Sequence, residues 1–266
     1  MRENCHAFFI GVLFLVIILL CPSFAEADGI SGDKPAPPTR QISLSIAVDK
    51  SYVDGNAEWR DDVIKVVKQA SGNFEKLPQP IAFYILEIVV LEFVPTDKMD
   101  DLLSELRTSS KNFKKTAQIV VGITARDTVC NDLAGRASEM CVGLAEEMGD
   151  HLFITKSKGN GFPDSVKIST LREQAELLTH ELGHIFGALD ISSEKQADSF
   201  MTDTIPATAD RFDDMNIGII MKNRNRPFHQ ELRSRANFGR GFFIPHPWGC
   251  PQAEYWGHYS PPKVRD

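Results

Sequence analysis

Cysteine is scarce in this chain and never stands in a CxxC pair, so a thiolate metal site or a dithiol redox motif has no footing. A basic excess is missing too: Lys and Arg total 29 against 36 Asp and Glu, a formal charge of −7. Displacing counterions from phosphate needs the opposite balance, which sets nucleic acid aside as a partner. No G-x-S-x-G elbow is present for a serine hydrolase. No GK[ST] follows the Gly159-Asn160-Gly161 loop to make a phosphate cradle, and no EF-hand-like string gathers the aspartates. Repeats and low-complexity tracts are absent. Past Leu20 no apolar run is long enough to span a bilayer: Ile81 to Val94 is short and carries Glu87 and Glu92.

The N-terminus has the grammar of export. Arg2, offset by Glu3, precedes an uncharged run from Ala7 to Leu20, and small residues Ser23 and Ala25 stand at −3 and −1 of a cleavage point. Residues 1–25 are therefore expected to be a cleaved signal peptide, with an uncleaved anchor as the alternative; Leu20 before Cys21 argues against lipoprotein processing. The mature chain is expected outside the cytoplasm, secreted or periplasmic, with no membrane contact once the signal is removed. Cleavage leaves Cys130, Cys141 and Cys250. The first two are close enough in sequence to close a small loop in an oxidising compartment, leaving Cys250 over.

Residues 26–40, rich in Pro, Gly and charge, read as a linker. From residue 41 the chain alternates strand and helix signals. Ile42, Leu44 and Ile46 alternate with polar neighbours in a strand over 41–48. Trp59, Val63, Val66, Val67 and Ala70 share one helical face over 58–74. Ile81–Val94 reads as a buried strand, Asp97–Leu106 as a helix, and Ala117–Thr124 as a strand. Val142–Ala145 and His151–Thr155 read as short strands, with His151 structural. Asp210–Asn223 reads as a helix with Phe212, Met215, Ile219 and Ile220 turned inward. The last 40 or so residues look irregular, and their basic side chains read as a solvated surface. The class is α/β (α+β), a sheet with helices packed on it, in a chain long enough for one well-cored domain.

Chemistry concentrates at residues 180–184, His-Glu-Leu-Gly-His. On a helix, His180 and His184 lie one turn apart on one face, so both imidazoles can reach one Zn²⁺. Glu181 sits where a general base can overhang a water. Thr170 and Glu173 form a T-x-x-E capping box, and Leu171, Ala175, Leu178, Leu182 and Ile185 make a buried stripe with the His pair beside it, toward a cleft. Gly187 ends the helix. A catalytic zinc wants a third protein ligand and an open position. Asp190 can swing back if the chain turns at Gly187; Asp198, Asp203 or a distant Glu are the other candidates.

The string His180-Glu181-Leu-Gly-His184-Ile-Phe-Gly187-Ala-Leu-Asp190, with Ser199-Phe200-Met201 eleven residues on, resembles the metzincin clan of zinc peptidases. That pattern is HExxHxxGxxH followed by a methionine turn; here Asp replaces the third His, as in the snapalysin-like members. The resemblance implies His180, His184 and Asp190 as zinc ligands, Glu181 as base, and Met201 as a floor beneath the metal. It implies a twisted mixed sheet with an antiparallel edge strand near Cys141–Ala145, where an extended peptide could add. It also implies a long active-site helix and a smaller irregular C-terminal subdomain, with the division at 187/188 of a catalytic domain over 41–266. A two-His, one-carboxylate site leaves the zinc a weaker Lewis acid than three His would. Tyr255 and Tyr259 are candidate oxyanion stabilisers. The implied activity is a zinc-dependent endopeptidase acting on protein or peptide. A zinc-keeping, non-catalytic binding module and a cell-wall amidase are the alternatives. Substrate preference and oligomeric state are not legible.

Overall fold

The alternation that begins at Arg40 builds the central strand of a sheet. In the computed structural model of the protein, which describes residues 38–113, 116–131, 137–156, 168–192, 196–202 and 209–228, β1 (Arg40–Asp49) sends Ile42, Leu44, Ile46 and Val48 into the larger core. A one-turn helix α1 (Lys50–Asp54) leads to α2 (Trp59–Glu75), which lays Val63, Val66, Val67, Ala70 and Phe74 against that same face. Parallel strands need a crossover, and α2 supplies it before β2 (Ile81–Leu91). Helix α3 (Met99–Ser109) then leads to β3 (Ile119–Thr124). A small antiparallel pair follows, β4 (Val129–Asn131) and β5 (Ala137–Met140). The chain continues through β6 (Gly143–Ala145), β7 (His151–Thr155), α4 (Leu171–Ile185) and α5 (Asp214–Asn223).

Among the described residues, five strands form the main sheet in the order β2-β1-β3-β7-β6. The first four run parallel; β6 pairs antiparallel with β7, from Gly143 opposite Ile154 to Ala145 opposite Leu152. The edge strand lies where the sequence resemblance put it. Helices α2 and α4 cover one face, and α3 covers the other with Leu102, Leu103 and Leu106 over Val120, Phe153 and Leu144. A disulfide joins Cys130 of β4 to Cys141, with Cα atoms 5.3 Å apart.

Several boundaries differ from expectation, each for a physical reason. The apolar run from Ile81 was read as a buried strand. It is an edge strand, ending at Leu91, whose residues are mostly half-buried, with Tyr84 and Val90 exposed. A largely apolar run cannot by itself reveal whether a strand has one neighbour or two. Arg40, assigned to the linker, opens β1, held by its guanidinium on the Arg226 carbonyl at 2.8 Å. The last helix starts at Asp214, not Asp210, because Arg211 is drawn into a bridge with Ser199, its carbonyl accepting the Phe200 N–H. Its Met215 is 49% exposed and Ile219 half-buried, so the inward face is carried by Asn216 and Ile220. Residues 1–25, Asp203, His229, His246, Cys250, Tyr255, His258 and Tyr259 lie outside the described residues.

Candidate metal centre

Helix α4 carries the HExxH string and is assembled from local signals. Thr170 accepts the Glu173 backbone N–H at 3.1 Å, and Glu173 accepts the Thr170 backbone N–H at 2.8 Å, closing the capping box. The helix is buried on every side from Gln174 to Ile185, not only along the leucine stripe. It stops in a Schellman turn: the Gly187 N–H reaches the His184 carbonyl and the Ala188 N–H reaches the Gly183 carbonyl. Gly187 holds φ +82°, a conformation L side chains rarely adopt. The Asn223 amide of α5 donates to the Phe186 carbonyl at 2.8 Å, fixing the turn from the other side.

That turn folds the chain back under the helix. His184 Nδ1 lies 2.8 Å from the Ala188 carbonyl, and His180 Nδ1 lies 2.8 Å from the Phe200 carbonyl. A carbonyl can only accept, so each Nδ1 carries the hydrogen, and a neutral ring then presents a lone pair at Nε2. The two Nε2 atoms are 3.0 Å apart, and Asp190 Oδ1 lies 3.3 Å from one and 3.4 Å from the other. Both Asp190 oxygens are buried, and among the described residues neither accepts a hydrogen bond of good geometry. Three electron-pair donors thus converge in a buried space. Donors about 2.0–2.1 Å from a tetrahedral ion sit about 3.3–3.4 Å from one another. Both edges to Asp190 have that length and the Nε2–Nε2 edge, at 3.0 Å, is slightly shorter, so the residues present fit a zinc-type ion.

Electrostatics agree with a missing positive charge. Burial drives the Glu181 carboxyl up to about 8, with Asp190 adding to the rise and His184 opposing it. Burial pulls the His184 imidazole down, but Asp190 and Glu181 beside it lift it to about 9. Glu181 Oε2 is buried with no hydrogen-bond partner among the described residues. Its Oε1 occupies the space a Cβ on Gly143 would need, so the Glu181 carboxylate packs directly against β6.

Beneath the site lies the Ser199–Met201 turn. Met201 is fully buried, and its sulfur lies so close to Gly183 that a Cβ there would come within 2.5 Å. Ile191 N–H donates to the Met201 carbonyl at 2.8 Å, tying the Asp190 segment to the turn. Of the other candidate third ligands, Asp198 is paired with Arg211 at 2.5 Å. Sequence reasoning missed the backbone partners at Ala188 and Phe200, which have no side-chain signature. It also missed Gly143, Asn216 and Asp213, whose partners Glu181, Leu189 and Ser199 lie elsewhere in the chain.

Fold and site together define a zinc metallopeptidase of the metzincin clan. The sequence profile of metallo-peptidase family M12 matches residues 38–232, well over half of the chain, and the chain belongs to that family. The crystal structure of archaemetzincin from Methanopyrus kandleri is similar in fold, with a TM-score of 0.50 at 16% identity, covering 70% of this chain and 97% of that one. No curated protein matches.

Proposed function

We propose that this peptidase holds Zn²⁺ on His180, His184 and Asp190 and cleaves peptide bonds within extended protein segments outside the cytoplasm, with Glu181 as general base. The observation that carries this reading is the meeting of two imidazole Nε2 atoms and an unsatisfied buried carboxylate at 3.0–3.4 Å. A zinc ion in that seat would supply Lewis acidity, polarising the scissile carbonyl and lowering the pKa of a water.

The chain's own groups do the rest. The Ala188 and Phe200 carbonyls lock the tautomer and ring plane of each imidazole. Glu181 receives the proton of the attacking water at Oε2 and returns it to the leaving nitrogen. Its burial raises its proton affinity toward the working range of such a shuttle. The outer edge of β6, antiparallel to β7, offers backbone groups to a substrate added as one more strand. The signal-like N-terminus and the Cys130–Cys141 disulfide support a place outside the cytoplasm. The division at residue 187/188 into upper and lower subdomains is part of the same proposal.

The test is metal analysis of the purified protein together with digestion of casein by the natural chain and by Glu181→Gln. One zinc per chain in both, with cleavage lowered about 10²–10⁴-fold in the variant, is expected. Full activity in the zinc-replete variant would remove Glu181 from its role.

A further inference from the structure

Asp190 lies outside any helix or strand, yet a three-point seat needs its donors fixed in advance. The structure shows what fixes it. Asn216, in the first turn of α5, is completely buried. Its Oδ1 accepts the Leu189 N–H at 2.7 Å, and its Nδ2 donates to the Leu189 carbonyl at 2.9 Å. One amide thus pairs with both backbone groups of the residue before Asp190, as a neighbouring strand would. The second Nδ2 hydrogen goes to Asp213 Oδ2 at 2.8 Å. Asp213 also accepts from the Asn216 backbone at 3.0 Å and from Ser199 Oγ at 2.9 Å. Ser199 Oγ in turn accepts the Met201 N–H at 3.1 Å.

This chain of bonds joins the two segments that meet under the helix: the one bearing Asp190, and the turn whose Phe200 carbonyl orients His180. From it we infer that Asn216 is a positioning residue for the third metal ligand, holding Asp190 in register with the two imidazoles before any ion arrives. The inference rests on the reading of Asp190 as a ligand. The choice of side chain follows from the bonding. Aspartate at 216 has no hydrogen for the Leu189 carbonyl and sets a second carboxylate beside Asp213, while leucine fills the volume and satisfies nothing. Asn216 reaches no reacting group; it acts through the backbone of Leu189 and, by way of Asp213, through the Ser199 turn.

The experiment uses the full chain, stripped of metal. Zn²⁺ is titrated against a chromophoric chelator, and the visible spectrum is recorded after Co²⁺ loading, for the natural protein, Asn216→Ala, Asn216→Asp, Asp190→Ala and Leu102→Ala. The last lies in the core on the opposite face of the sheet and controls for lost stability. Loss of an outer partner weakens metal affinity about tenfold to a hundredfold. That drop is expected for both Asn216 variants, with altered Co²⁺ bands, while Leu102→Ala melts earlier but keeps affinity and spectrum. Folded Asn216 variants with unchanged affinity and bands overturn the inference while a weakened Asp190→Ala leaves the ligand reading standing. Unchanged affinity in Asp190→Ala overturns both. A further readout needs no variant: hydrogen exchange at the Leu189 amide in the metal-free natural chain. Protection there supports a preformed clamp even if the variants do not fold; exchange at the rate of an open loop overturns it.

Discussion

Among the described residues, two clusters of histidine and carboxylate come within reach of a shared ion: His180, His184 and Asp190, and Glu146, Asp150 and His151. Both mix imidazole with carboxylate, so the residue types alone do not say which takes an ion. In the second, the Arg107 guanidinium pairs with Glu146, His151 Nδ1 lies 2.6 Å from Asp150, and His151 Nε2 lies 2.9 Å from the Ser110 hydroxyl. Here the protein itself brings a full cation, the Arg107 guanidinium, to the cluster. In the first, the Nδ1 hydrogens of both rings go to backbone carbonyls facing away, no Arg or Lys pairs with Asp190 among the described residues, and neither Asp190 oxygen accepts a hydrogen bond of good geometry there. A metal seat is thus recognised by the positive charge its surroundings withhold, not by the residues that line it.

The largest effect that could break this comparison comes from removing one carboxylate of each cluster. Asp190→Ala is expected to weaken Zn²⁺ binding by more than the about 10–100-fold that an outer-sphere loss costs, whereas Glu146→Gln should leave zinc stoichiometry and affinity unchanged. Titration against a competing chelator reads both. Equal losses would mean that the Arg107-paired cluster also takes metal.

A smaller effect is expected at Gly143. A Cβ there would occupy the position of Glu181 Oε1, the far end of a side chain that can rotate away. Gly143→Ala should therefore fold and keep its zinc while displacing the Glu181 carboxylate, the proposed base. A displacement of about 1 Å can cost about a hundredfold in rate. Steady-state cleavage of a fluorogenic peptide should show the loss mainly in kcat, and wild-type kcat would mean the carboxylate does not depend on that gap.

The first cluster was legible because its logic is local. His180 and His184 are four apart on one helix, the capping box and Gly187 mark its ends, and Asp190 follows within three residues. The strand and helix order was readable for the same reason: each element's apolar period lies within its own segment. What escaped depends on distance. Asn216 meets Leu189 across 27 residues, and in sequence it is one polar position in a helix whose hydrophobics pointed elsewhere: Met215 reads as core and is exposed. The exposure of β2 escaped because the number of its neighbours is a property of the sheet, not of Ile81–Leu91. The orienting carbonyls of Ala188 and Phe200 escaped because any residue has one.

The missing charge also predicts how the metal-free chain responds to pH. Glu181 is raised to about 8 and His184 to about 9 in the folded protein. Both folded-state values exceed the unfolded ones, so the native state holds protons that the unfolded chain has released. The His184 contribution is fully present below about 6.5 and lost as pH rises through 9; Glu181, easily ionised only once unfolded, adds to the decline from about 4 to 8. Chelator-treated protein should lose stability as pH rises through this window, by at most about 1.4 kcal/mol per unit for each proton. Zinc-loaded protein should show the opposite trend, because the ion displaces those protons. Glu181→Gln should flatten the metal-free slope and raise the melting temperature near pH 8. A metal-free chain that grew more stable between pH 5 and 9 would contradict the picture of a charge-starved site.

The smallest expected effect sharpens the comparison from its other side. The Arg107 side chain is 55% exposed while Glu146 is 7% exposed, so solvent reaches the guanidinium end of their ion pair and screens it. Arg107→Ala should cost about 1 kcal/mol, readable as a modest shift of the denaturation midpoint, and should leave catalysis untouched. Its interest lies in what the variant then resembles. With the guanidinium gone, Glu146 is a buried carboxylate beside His151 without its strong cationic partner, the condition that Asp190 already meets. If an unsatisfied carboxylate next to an imidazole is what invites an ion, Arg107→Ala should acquire a weak second Zn²⁺ equivalent in the titration. A variant that gains none would show that the geometry of the His180 seat, with two Nε2 atoms held by carbonyls, matters beyond the charge deficit alone.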